Sequence, residues 1–187
     1  MSRQKAEPLP TQSGEFEARI RITETASGSV HAGSLQIVGE WPRAFRMQVE
    51  GPMGLSLLTT TYREGFVQMV LNQEMKFYEG SIDWKKAKTL LKVPFDPQWF
   101  LYFAFDKVLP GPVWTCRKNG EGKPDSCKSK DGLEVVWSDR DGNRRMIRVK
   151  TPTHQLQIYF TSSQTKVQLS DEIFRLLPPD GYTKEKI

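Results

Sequence analysis

Histidine and cysteine are nearly missing from this chain, with two of each among 187 residues. Nucleophilic catalysis of the Ser-His-Asp type needs a histidine base that a third group holds in place. His31 lies in a strand-and-turn setting with no Gly-x-Ser-x-Gly elbow anywhere, and His154 opens a strand shortly after Pro152. Cys116 and Cys127 belong to no Cys-x-x-Cys pair, which speaks against zinc. No glycine-rich phosphate loop of the P-loop or dinucleotide-binding kind is present. The nearby carboxylates Asp139 and Asp141 fall in a turn sequence, where aspartate serves the backbone. The expectation is a protein that is not an enzyme and uses neither metal nor cofactor. Long hydrophobic runs are also lacking. No stretch approaches the roughly 20 apolar residues of a membrane-spanning helix, and a mean hydropathy of −0.53 describes a soluble chain. Residues 1–14 contain no apolar signal core and no cysteine for lipid attachment, so an exported protein is expected here in trimmed form.

Charge is balanced toward the basic side, with 27 Lys and Arg against 22 Asp and Glu, a formal net charge of +5. The basic residues are scattered, and no helix-turn-helix, RNP or zinc pattern accompanies them, so nucleic acid is not expected as a partner. Two readings remain: a solvated basic surface, or attraction to anionic lipid head groups or an acidic protein.

What the sequence does contain is alternation. Residues 1–14, with Pro8 and Pro10, read as a disordered tether, and residues 15–187 as a single domain. From Glu15 onward, Phe16, Ala18, Ile20 and Ile22 fall on one side of a strand, with Glu17, Arg19, Arg21 and Thr23 on the other. Turns at 26–29 and at Trp41-Pro42-Arg43 separate a second strand carrying Leu35 and Ile37. A hairpin follows, Phe45, Met47 and Val49 before its loop and Leu55, Leu57 and Thr59 after it. The loop is Gly51-Pro52-Met53-Gly54, a tight turn around one flexible apolar side chain. Met53 either points outward or folds back over the sheet edge. Strands continue over Phe66–Leu71 and around Lys76–Tyr78.

The period then changes. A helix is expected through Trp84, Ala87, Leu90 and Leu91, ending at Pro94. Asp96-Pro97 starts a second one, with a carboxylate N-cap and proline at the first helical position. Its residues Trp99, Phe100, Leu101, Tyr102, Phe103 and Phe105 are apolar nearly all round. Further strands are expected at Val113–Cys116, Leu133–Trp137, Arg145–Lys150, His154–Thr161 and Lys166–Leu169, before a polar tail. The sum is about ten strands: a mainly β (α+β) fold, an open, incomplete antiparallel β-barrel with a helical insertion covering its concave face.

Cys116 and Cys127 bracket a polar loop and stand at its foot. They either form a disulfide, which implies an oxidising compartment, or remain two unpaired thiols. The aromatic residues either fill the core or line a cavity for acyl chains between sheet and helices. The inward-facing set for such a cavity is Ile20, Ile22, Leu35, Ile37, Phe45, Met47, Val49, Leu55, Leu57, Trp84, Leu91, Trp99, Phe100 and Phe103.

These residues carry a family resemblance. Gly51-Pro52-Met53-Gly54 resembles the Gly-Pro-Leu-Gly loop of LolB, the outer-membrane lipoprotein receptor. Phe174 to Gly181, reading Phe-Arg-Leu-Leu-Pro-Pro-Asp-Gly, is similar to the closing Phe-x-x-x-Pro-Pro-x-Gly of the periplasmic chaperone LolA. Gly33-Ser34-Leu35, Trp41-Pro42 and Phe45-Arg46 are similar to the Gly-x-Leu and Pro-x-x-Phe spacing of the same superfamily. The resemblance to the LolA/LolB lipoprotein localisation factors spans roughly residues 15–184 and is nearest to the receptor. It implies lipoprotein acyl chains as ligand, a LolA-like carrier and outer-membrane lipids as partners, no ATP, a monomer, and a periplasm-facing position at the outer membrane. It implies a membrane-insertion role for the Gly51–Gly54 loop, with Met53 as the contact. Where the chaperone has an arginine soon after its Gly-x-Leu strand, this chain has Gly39-Glu40. The alternative on the same fold is a periplasmic chaperone or a protein that senses lipid or lipoprotein and signals to a partner.

Overall fold

The computed structural model describes residues 12–81, 89–90 and 95–187. Twelve strands form one sheet: β1 (Gln12–Glu24), β2 (Val30–Trp41), β3 (Ala44–Glu50), β4 (Ser56–Arg63), β5 (Phe66–Leu71), β6 (Lys76–Ser81), β7 (Trp114–Lys118), β8 (Pro124–Ser129), β9 (Glu134–Asp141), β10 (Arg144–Lys150), β11 (His154–Thr165) and β12 (Thr183–Lys186). A helix, α1 (Trp99–Ala104), and 3-10 turns at Pro52–Gly54 and Asp171–Phe174 complete the set. The order across the sheet is β12-β6-β5-β4-β3-β2-β1-β11-β10-β9-β8-β7, so the sheet is open, with β12 and β7 at its edges. Two sequence-local meanders, β1–β6 and β7–β11, are joined where β1 pairs with β11, Ile20 opposite Ile158.

Alternation sets which face is buried. Phe16, Ala18, Ile20, Leu35, Ile37, Phe45, Met47, Ile147, Val149, Leu156, Ile158 and Phe160 are all buried and form one core with α1. The helix starts two residues later than Asp96-Pro97 predicts: Gln98 is its N-cap, and Asp96, with its Oδ1 accepting from the Gln98 amide at 3.0 Å, belongs to the turn that leads into it. It is only six residues long, and Phe105 already lies beyond it. The helical insertion is therefore short among the described residues; of the expected helix through Trp84, Ala87, Leu90 and Leu91 they include only Thr89 and Leu90, which are helical. Glycine at position 39 lets α1 approach β2, since a Cβ there would stand 3.0 Å from Leu101 Cδ1 and 3.2 Å from Phe105 Cε2.

Several expected boundaries shift. The first strand begins at Gln12 rather than Glu15, with Gly14 buried, so the tether reading retains only residues 1–11, which lie outside the described residues. The polar stretch between the cysteines is largely strand: Pro124–Ser129 pairs with β7 on one side and β9 on the other. Its hydrogen-bonded ladders, not an apolar pattern, make it a strand. Lys166–Leu169 is not a strand, because Lys166 takes a left-handed backbone (φ 62°) that ends β11. The polar tail instead supplies β12, which runs parallel to β6. A Lys76–Glu185 ion pair at 2.8 Å and the Ile187 amide donating to Glu79 O at 3.1 Å hold it there. The sheet is thus antiparallel everywhere except at that last pair. Its convex side is covered around Val70 and Phe77 by Leu176 and Tyr182.

Gly33 shows how tightly the Gly-x-Leu segment is built. A Cβ on it would come within 2.1 Å of the Glu50 carbonyl oxygen, the root of the Gly51–Gly54 loop. Gly33→Ala should therefore force the two strands apart and lower the stability to urea by roughly 1–3 kcal/mol. Gly120→Ala, with no atom within 4 Å, should stay within about 0.5 kcal/mol of wild type in the same measurement.

Candidate functional site

The concave face has two unlike halves. Toward the end of the strands marked by Trp41, α1 packs down on the sheet and fills the space. Leu101 and Phe103 are fully buried, Phe16 meets Phe105 with ring centroids 4.9 Å apart, and Phe103 meets Trp137 at 5.9 Å. Toward the other end a cavity of about 320 Å³ remains, in the lower part of the range of roughly 300–1,000 Å³ usual for small-molecule sites. Ile20, Ile22, Met47, Val49, Leu57, Leu58, Leu71, Leu90, Phe95, Pro97 and Phe100 line it, with Gln73 and Glu74 as its polar members.

Six of the fourteen cavity residues expected from sequence lie on this lining: Ile20, Ile22, Met47, Val49, Leu57 and Phe100. Leu35, Ile37 and Phe45 from the sheet and Trp99 and Phe103 from α1 are close-packed in one buried core instead. Leu55 is 61% exposed and belongs to the loop, not the cavity. Trp84 and Leu91 lie outside the described residues. The alternation of β4 also shifts. A bulge opposite Val49 and Glu50 brings Leu58, Thr60 and Tyr62 into register with Val49, Met47 and Phe45, so Thr59 turns to the other face. Leu58 was missed for that reason, and Leu71 because the apolar run at 69–71 hides which face is which.

The Gly51–Gly54 loop stands at the cavity end. Met53 has a left-handed backbone (φ 61°) and is 93% exposed, so it points outward and does not fold back on the sheet edge. Its root touches the cavity wall, for a Cβ on Gly51 would stand 3.1 Å from Leu57 Cδ1. The exposed apolar residues Val30, Met53, Leu55, Met75 and Val113 all sit at strand ends or turns on this same end of the sheet. The other two, Phe66 and Leu177, lie at the opposite end beside Arg63 and Asp171. One end of the sheet therefore combines an apolar cavity with an apolar rim.

The opposite end of α1 is held by charge. The Arg145 guanidinium, from β10, donates to the carbonyl oxygens of Phe103 (2.7 Å) and Ala104, the last turn of the helix. It also lies 4.3 Å from the centroid of the Phe160 ring. Arg140 forks onto Asp106 at 2.6 and 3.0 Å, and Asp106 stands 3.8 Å from Arg145 Nε. Burial pushes the Arg145 guanidinium down to about 10, with Asp106 opposing the shift and Arg140 adding to it, so it stays charged at neutral pH. Sequence reading missed Arg145. Its only signal was a charge at an inward position of the Arg145–Val149 alternation.

The cysteines are joined by a disulfide across the β7–β8 pair, where Cys116 stands opposite Cys127. Cys127 is fully buried against Val135 in the main core. His31 is exposed, and His154 Nδ1 lies 2.9 Å from Thr153 Oγ1.

Neither a protein-family model nor a curated protein matches this sequence. Solved structures do share its fold. A DUF1329 family protein from Desulfovibrio piger superimposes with a TM-score of 0.53 at 13% identity, over 88% of this chain and 90% of that one. A LolA superfamily protein from Nitrosomonas europaea gives a TM-score of 0.54 at 7% identity, over 90% and 92%. The fold is LolA-like.

The charge cluster sets an order of effects. Asp106→Ala leaves two largely buried guanidiniums without their carboxylate and should lower stability by roughly 3–5 kcal/mol. Arg145→Leu leaves only helix carbonyls unpaired and should cost roughly 1–3 kcal/mol. Urea denaturation of the two variants checks that order.

Proposed function

We propose that this chain binds lipoprotein acyl chains in its cavity and passes them to a membrane at the loop end, without enzymatic chemistry or nucleotide. The observation that carries this reading is the placement of the apolar cavity and the outward Met53 loop on one end of the sheet. An apolar wall grips an acyl chain without directional groups, since each buried methylene contributes roughly 0.8 kcal/mol. Gln73 and Glu74 at the turn between β5 and β6 give the site a polar border where a head group would emerge. Met53 gains nothing for folding from an exposed position, whereas a bilayer gives its side chain an apolar environment.

On this reading the role is LolB-like. The chain receives cargo from a LolA-like carrier on the periplasmic side of the outer membrane, and the cargo moves between apolar cavities down an affinity gradient. The Cys116–Cys127 disulfide supports an oxidising compartment. The LolA-like fold supports a cavity of this kind between sheet and helix.

Two variants separate binding from delivery. Ile22→Trp places a large ring on the half-buried cavity wall and should weaken binding of a fluorescent acyl-chain probe by about tenfold or more. Met53→Glu should bind the probe like wild type yet fail to release bound lipoprotein into liposomes. Normal release by that variant would sink the loop's assigned role. Retention of cargo by the wild-type protein in the presence of liposomes would favour a sensing protein over a delivery protein.

A further inference from the structure

The convex side of the sheet carries a feature that neither the cavity nor the loop uses. On β1, Arg19 and Arg21 alternate with Ile20 and Ile22, so they face away from the cavity and are exposed. Across the seam, Arg21 stands opposite Gln157, and Gln157 opposite Arg148. One row nearer the loop end, Thr23 stands opposite Gln155, and Gln155 opposite Lys150. Residues directly opposite share a face, so Arg19, Arg21, Arg148 and Lys150 form one basic patch over three adjoining strands. The acids on this face are already engaged. Arg148 pairs with Asp139 at 3.4 Å and Lys128 with Glu134 at 3.0 Å. The Glu50 carboxylate accepts from Ser34 and Gln48, and that of Glu24 from Ser27. Arg19, Arg21 and Lys150 form no ion pair among the described residues; Glu134, directly opposite Lys150, pairs with Lys128 instead, and Glu15 and Glu17 lie toward the other end of β1.

The height of the patch matters. Ser34 stands opposite both Arg19 and Glu50, and Ala32 opposite Arg21. The loop that follows Glu50 is therefore level with Arg21 and Lys150, within about a Debye length of any surface that Met53 touches.

We infer that Arg19, Arg21 and Lys150 form a phosphate-binding patch for the head groups of an anionic phospholipid bilayer, setting the chain end-on while the apolar rim enters the membrane. The occupant follows from the pairing of a free cationic row with an apolar rim of Val30, Met53 and Leu55 on one end, the two chemistries that an anionic lipid surface offers together. This inference rests on the reading that the Met53 loop meets a bilayer.

Co-sedimentation with vesicles tests it. One set is pure phosphatidylcholine, the other contains phosphatidylglycerol, each at low and high salt. Wild type should bind the anionic vesicles more tightly, with the preference lost at high salt. The triple variant Arg19→Glu, Arg21→Glu and Lys150→Glu should lose the preference, at roughly fivefold in affinity for each removed cation, while retaining wild-type circular dichroism and acyl-probe binding. Equal binding of wild type to both vesicle types, or an unchanged preference in the triple variant, overturns the inference. An acidic protein that binds wild type but not the variant, with vesicle preference unchanged, does the same. Met53→Glu distinguishes this from the loop reading. If it keeps the salt-sensitive preference and delivers cargo normally, the loop role fails and the patch stands. If delivery to phosphatidylcholine vesicles depends on Met53 but no anionic preference exists, the patch fails and the loop role stands.

Discussion

The pairing of β1 with β11 is the constraint on which the rest of this architecture hangs. Each meander is sequence-local and can form its own ladders, but neither has enough strands to enclose a core alone. The seam brings the first long strand beside the last one, with Ala18 opposite Phe160 and Ile22 opposite Leu156. Once it forms, β6 and β7 are driven to opposite sides of the sheet. Of the chain between them, Phe95, Trp99, Leu101, Phe103, Phe105 and Leu109 are buried in the core. The helix over the core is thus a consequence of topology as much as of its own sequence. A six-residue helix is too short to be stable in isolation, and its burial against Gly39 and Phe16 supplies what propensity does not.

The helix is anchored unevenly. At its C-terminal end, Arg145 satisfies carbonyls that a helix end leaves without partners, and Asp106 with Arg140 completes a buried charge network. Buried charges of this kind are weak contributors to net stability, yet breaking them is costly, so they specify one docking position rather than many. At the other end Asp96 Oδ1 accepts from the Gln98 amide, and Phe95, Pro97 and Phe100 meet the cavity. A guanidinium reaches the helix from β10, and glycine at position 39 gives the helix room.

What could be read from residues followed the strength of their periodicity. Phe16 to Ile22 alternate cleanly, and that strand lies where the alternation put it, with the cavity residues Ile20 and Ile22 on the inner face. Asp96-Pro97 carried enough local chemistry to announce a helix nearby, but Asp96 caps the preceding turn and α1 itself begins at Trp99. The failures lie where stability is non-local. Pro124–Ser129 and Thr183–Lys186 have no apolar stripe and are strands only because neighbours offer them ladders. The bulge in β4 moved Thr59 off the inner face, which no alternation could announce. The division between cavity wall and solid core was equally illegible, since Leu35 and Val49, directly opposite each other, look alike until packing buries the first and leaves the second half-buried on the cavity wall.

Met53, like Met75, is an exposed methionine held at positive φ, and folding explains it poorly. A non-glycine residue at positive φ is held at a cost of about 1 kcal/mol or more, and glycine at that position would remove the strain. Its side chain is almost wholly exposed, so packing returns nothing for that cost. Asn or Asp would suit the left-handed backbone better, because their side chains bond locally. The loop is nevertheless pinned firmly at its base. The Glu50 carbonyl sits over Gly33, Gly51 N donates to Leu55 O at 2.9 Å, and Leu57 packs beneath Gly51. A rigid base under a strained, outward, apolar tip is not what stability alone would select for a turn. The proposed contact with a bilayer would use such a tip: a side chain presented at a set height, beside the mouth of an apolar cavity and level with the cations of the convex face.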